Sequence, residues 1–162
     1  MKSAIRSMML AAVMIGLAPS LAAADSNAPW DRATFNDAAY APQKVVYDVA
    51  VSSPAELEGV LDRVSFLNNI YEANPFDSSI VVVLHGDEIP LFAVKSHAKH
   101  RELMARAQSL TRAGPVQFRM CVVAARAHGY KPEEIHGFVQ MVPMADAEIV
   151  RLQREGGYAY MR

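Results

Sequence analysis

The sequence of 162 residues contains one cysteine, Cys121, so no disulfide can form within a chain. A lone thiol is either a working nucleophile or a small apolar side chain used for packing. Position decides which. Cys121 follows the β-rich run Val116-Gln117-Phe118-Arg119-Met120 and opens a short helical stretch that reaches His128, with Gly129 as a left-handed cap. The start of a helix presents unpaired N–H groups and a partial positive charge, and both favour a thiolate over a thiol. Against this, Val122-Val123-Ala124-Ala125 are apolar and would bury the sulfur.

Other groups with chemical capacity lie at similar positions. His85 ends the β-branched run Ser79-Ile80-Val81-Val82-Val83-Leu84, and Gly86-Asp87-Glu88 continue the loop. His85 is a candidate proton acceptor or cationic neighbour for Cys121, Gly86 and Asp87 are candidate substrate contacts, and Arg119 is a candidate source of positive potential. His97 and His100 stand three apart on a predicted helix, but no third ligand lies nearby in sequence, so no metal site is expected there. His128 suits a helix C-terminus, and His136 carries no specific signal. There is no G-x-G-x-x-G, Walker, G-x-S-x-G or C-x-x-C pattern, which argues against nucleotide-dependent chemistry, an esterase and a thioredoxin-type dithiol, and no cofactor is implied.

Positioning these groups requires a layered fold. Lys44 to Val51 reads as a first strand, and Ser52-Ser53-Pro54 with Glu56 as a helix start. Leu57, Val60, Leu61, Val64, Leu67 and Ile70 recur at helical spacing. The strand at 79–84 is apolar on both faces, which points to a parallel sheet covered on both sides. A helix over 96–112 follows, ended by Gly114-Pro115, then the strand before Cys121. Phe138 to Val142 is a fourth strand, Ala145 to Glu155 a fourth helix, and Tyr158 to Met161 a short last strand. This alternation predicts an α/β domain with a mainly parallel five-stranded sheet and helices on both faces. In such sheets ligands bind beyond the carboxyl ends of the strands, where Cys121, His85 and Ser52-Ser53 fall.

The first residues read as an address. Lys2 and Arg6 precede an apolar run from Met8 to Ala18, and Ala22-Ala23-Ala24 forms a small-residue cleavage site. The sequence therefore divides into a signal peptide at 1–24, an irregular arm at 25–43 and a domain at 44–162, with Trp30 and Phe35 as expected anchors of the arm. Export to the periplasm is expected, with no membrane contact after cleavage. Loss of Lys2 and Arg6 leaves 14 basic and 17 acidic residues, and no basic stripe suggests nucleic acid. The five methionines that remain are scattered and read as core filler.

On Val81-Val82-Val83-Leu84-His85-Gly86, on Phe118-Arg119-Met120-Cys121 and on Leu152-Gln153-Arg154-Glu155-Gly156-Gly157-Tyr158-Ala159-Tyr160, the chain resembles the DsrE/DsrF-like family of sulfur-relay proteins, in an exported single-cysteine branch. The resemblance runs from about Val45 to Met161. It implies a flavodoxin-like three-layer sandwich, assembly into homo-oligomers, and a cysteine that accepts sulfane sulfur as a persulfide, a role that falls on Cys121. His85 would then assist by proton transfer or by orienting the donor, and the donor and the acceptor thiol or protein stay unnamed. The apolar residues after Cys121 and the signal segment depart from the cytoplasmic relay members. The competing expectations are a non-catalytic oligomeric module with a buried structural cysteine, and a thiol redox sensor.

Overall fold

The computed structural model describes residue 30, residues 32–112 and residues 114–162. The signal segment at 1–24 lies outside the described residues. Two units are distinguished, residues 1–37 and 38–162. In the first, Trp30 and Phe35 are 83% and 89% exposed.

The second unit is an α/β sandwich. Its strands are β1 (Lys44–Val49), β2 (Ser79–Leu84), β3 (Val116–Cys121), β4 (Val139–Val142) and β5 (Ala159–Met161). Its helices are α1 (Pro54–Ile70), α2 (Arg101–Arg112), α3 (Val122–Ala127) and α4 (Ala145–Gly156). All five strands run parallel in the order β4-β3-β2-β1-β5. The expected flavodoxin-like three-layer architecture is present.

The order explains the layers. Steps from β1 to β4 move one strand at a time in one direction, and right-handed crossovers then put their helices on a common face. The connection from β4 to β5 runs back past β1, so α4 lies on the opposite face, against β1 and β2. The direction of winding reverses between β1 and β5. That reversal opens a crevice at the carboxyl ends of those strands.

Local chemistry fixes the elements. The Ser53 hydroxyl caps α1 by accepting the Glu56 N–H at 3.3 Å, Pro54 opens the helix, and the Glu56 carboxylate accepts the Ser52 N–H at 2.7 Å. Leu57, Leu61 and Val64 face the sheet. Gly157 adopts φ 70° to end α4, a conformation that costs a residue with a side chain more.

One sequence expectation needs correction. The helix expected over 96–112 begins only at Arg101, because Ile89–Phe92 and Val94–Ser96 form short 3-10 turns. Ala93 between them extends to make an isolated antiparallel bridge with Ile135, which draws the chain away from helical geometry. Among the described residues no helix is long and apolar enough to cross a membrane.

Candidate functional site

Strand alternation assigns the side chains to faces. Val46, Val81 and Val83 pack under α4. Asp48 follows Val46 by two, His85 follows Val83 by two, and Tyr160 is registered with Val46. Cys121 packs in the same cluster. Four chemically capable side chains therefore share the α4 face on adjacent strands β5, β1, β2 and β3. Leu84–Met120 is the last registered pair of β2 and β3, and His85 and Cys121 each follow it by one residue.

Asp48 joins three of the strands. Its Oδ1 lies 2.5 Å from His85 Nε2, and its Oδ2 accepts the Tyr160 hydroxyl at 2.5 Å. Partial burial works to raise the Asp48 carboxyl. The hydrogen bonds from Tyr160 and His85, with the charges of His85 and Arg162, outweigh that and hold it below the usual carboxylate range. The Tyr160 hydroxyl is correspondingly raised by the carboxylate it faces. An ionised Asp48 only accepts, so His85 Nε2 carries a proton, which leaves Nδ1 as the acceptor of a neutral ring. Side chains of His85 and Asp48 are 27% and 22% exposed, so solvent and small molecules reach them.

These groups border a cavity of about 170 Å³ at the β1–β5 reversal, lined also by Val51, Val60, Arg63 and Arg162. Arg63 lies over the Tyr47 ring at 5.3 Å and donates to the Arg162 carbonyl at 3.1 Å. Cys121 does not line this cavity. It is 4% exposed, among Val46, Val81, Val83, Ala145 and Ile149, and its sulfur accepts the Ala124 N–H at 3.4 Å.

The remaining sequence candidates have structural partners. Gly86 permits close approach: a Cβ there would stand 2.6 Å from Ala50 Cα and 2.7 Å from Glu88 Oε2. Glu88 is fully buried and accepts the N–H groups of Gly86 and Val51, both at 2.9 Å, which ties the loop after β2 to the loop after β1. Asp87 is exposed, 3.7 Å from His128. Arg119 is held by Glu148 of α4 and by Gln117 at 2.8 Å. Arg151 hydrogen bonds pull the Glu148 carboxyl down first, burial opposes, and Arg119 adds to the lowering.

The sequence singles out His85, Cys121, Gly86, Asp87 and Arg119 but not Asp48, Tyr160 or Arg63. A signal was available for one of them: Asp48 is the one acidic residue of β1 and follows the buried run Val45-Val46-Tyr47, a costly place for a carboxylate without a partner.

A model of the DsrE/DsrF-like family matches residues 44–162, the whole of the sheet and its helices. Among solved structures, the chain is similar to a protein of unknown function from Methanobacterium thermoautotrophicum, with 24% identity and a TM-score of 0.63, over 74% of this chain and 98% of that one. That likeness carries the fold. No curated protein compared with the chain matches it.

Proposed function

The chain belongs to the DsrE/DsrF-like family, and from that premise we propose that it is a sulfur-relay protein that carries sulfane sulfur on Cys121 in the periplasm. The observation that carries this reading is the shared sheet edge: Cys121 ends β3, and His85 directly follows the neighbouring strand β2 with its ring held by Asp48. The Cys121 thiolate attacks the outer sulfur of an organic persulfide, R–S–SH. A new S–S bond forms on Cys121, the donor S–S bond breaks, and R–S⁻ leaves and takes a proton. The exchange is balanced without an oxidant or a cofactor. His85 handles that proton, with Asp48 orienting the ring.

The sulfur has to be reached. Its cover is the start of α4, where Met144 occupies the cap position without a side-chain hydrogen bond. An uncapped first turn is easier to open by about 1 kcal/mol than one capped by Ser or Asp. Export and removal of residues 1–24, with a mature N-terminus at Asp25, belong to the same reading, as does self-association of the domain.

Burial of Cys121 to 4% favours a second reading, a binding or assembly module in which the thiol only packs. Treatment of the native protein with an organic persulfide separates the two. The relay reading expects a gain of one sulfur, about 32 Da by intact mass, that reductant removes. Cys121→Ser abolishes the gain, and His85→Ala slows it without preventing it. A native thiol that resists both alkylation and loading, yet reacts once unfolded, overturns the relay reading in favour of packing.

A further inference from the structure

The fold brings together two histidines that the sulfur chemistry does not use. His97 closes the 3-10 turn at Val94–Ser96, and His136 lies in the loop before β4. The Ala93–Ile135 bridge and the hydrogen bond from the His136 N–H to the Phe92 carbonyl, 3.0 Å, clamp the two segments to each other. The rings meet edge to face, with centroids 5.3 Å apart at 77°. His136 is also stacked on Phe138, 5.8 Å away at 15°, which fixes its plane. Both imidazoles border a cavity of about 170 Å³ with Met104, Ala105, Gln108 and Phe138.

His136 Nε2 is buried and has no hydrogen-bond partner, a state that native structures rarely leave unexplained. A neutral imidazole nitrogen of this kind is the form that ligates metal ions.

We propose that His97, His136 and the Met104 thioether form a site for one soft monovalent ion, Cu⁺. Two imidazoles bound to one ion at metal–nitrogen distances of about 2.0–2.1 Å, with a tetrahedral spread, place ring centres roughly 5.2 Å apart. The observed centroids are 5.3 Å apart, so small ring rotations suffice to turn both nitrogens to one ion without moving the backbone. The donor set selects the ion. It is neutral, two imidazoles with a thioether, and among the described residues no group of three or more His, Cys, Asp or Glu gathers to hold a harder divalent cation. Imidazole and thioether suit Cu⁺, whereas Zn²⁺ in structural sites takes four ligands, often thiolates.

The test uses the Cys121→Ser protein, since a thiol is itself a soft ligand. Anaerobic titration with Cu⁺ against a chromophoric chelator gives one ion per chain, and Ag⁺, which has no accessible redox change, gives the same stoichiometry. His97→Gln and His136→Gln each weaken binding tenfold or more, Met104→Leu weakens it several-fold, and His100→Gln leaves it unchanged. His97 is exposed, so its substitution leaves the fold intact by circular dichroism and keeps the test interpretable. Shifts of the His136 ring resonances on Ag⁺ addition place the ion directly. Unaltered affinity in the His97→Gln, His136→Gln double variant, or tighter binding of Zn²⁺ than of Cu⁺, overturns the proposal.

Discussion

The two faces of the sheet are built from different materials. The face under α1 and α2 holds a cluster of 25 buried residues, with Phe92, Phe118, Leu57 and Leu61 almost wholly withdrawn from water. The face under α4 has a cluster of seven, and one of those is Cys121. Burial on that scale places most of the hydrophobic driving force on the first face. The second face can then accommodate groups that cost stability: the Arg119–Glu148 pair, the Asp48–His85–Tyr160 chain and a thiol. The difference shows where the Cys121 and Asp48–His85–Tyr160 groups sit in this doubly covered sheet: on the face that contributes less to folding.

The sharpest way to break that comparison is to truncate one core side chain on each side to alanine. Phe118 is 1% exposed and packs its ring 6.0 Å from both Phe92 and Phe138. Phe118→Ala should cost about 3–5 kcal/mol by urea denaturation. Ile149→Ala, on the α4 face and 7% exposed, should cost nearer about 2 kcal/mol. Equal losses would mean that the faces share the work of folding. The next effect belongs to the ion pair. Arg119 and Glu148 side chains are 12% and 10% exposed, and Arg119 Nε already lacks a partner. Glu148→Gln leaves that guanidinium uncompensated and should cost about 3 kcal/mol, the lower end of what breaking a buried pair costs. Replacing both, as Arg119→Met with Glu148→Leu, should recover part of the loss. A double variant less stable than Glu148→Gln alone would assign the pair a net stabilising role.

The elements of both faces were legible in the sequence, and the side-chain partners on the second face were not. The period of Leu57, Leu61 and Val64 and the doubly apolar run at 79–84 identify α1 and β2, because burial depends on local spacing. The same patterns placed Cys121 at the end of β3 and His85 at the end of β2. The partners of His85 depend on strand order. Tyr160 meets Asp48 only because β5 inserts beside β1, 112 residues away along the chain, and no local pattern encodes that neighbour. His97 presents the same problem. Its sequence neighbour His100 suggests a helical pair, but the Ala93–Ile135 bridge joins His97 to His136 instead.

A smaller effect tests the loops that carry the site. Gly86 has no need of a left-handed backbone. Its requirement is space, since an added Cβ would lie 2.6 Å and 2.9 Å from backbone atoms of Ala50. Backbone moves less readily than a side-chain tip, so Gly86→Ala should push the loop after β1 away and loosen the Glu88 bond to the Val51 N–H. The expected loss is about 1–3 kcal/mol, with faster hydrogen exchange at Val51. Unchanged exchange at Val51 would show that the loop yields elsewhere and that Glu88 is not its tether.

The smallest effect separates the faces by pH. The Asp48 carboxyl is held lower in the folded protein than in the unfolded chain, so it stabilises the fold above the unfolded value of about 3.9. That contribution is lost as pH falls through the folded value. With the side chain 22% exposed, solvent limits it to about 1 kcal/mol or less. The gap in urea midpoint between the native chain and Asp48→Asn should therefore be constant near neutral pH and shrink below about pH 4. Tyr160→Phe removes one of the hydrogen bonds that lower the carboxyl, and should reduce the gap at pH 7 in the same direction. Phe118→Ala provides the contrast, because the ring it removes packs against Phe92 and Phe138 in the apolar cluster, and its deficit should stay the same across the scan below about pH 5. A pH-independent Asp48→Asn deficit would mean that hydrogen-bond geometry, and not the carboxylate charge, joins β5 to β1 and β2. The ionised Asp48 that orients His85 would then lose its support.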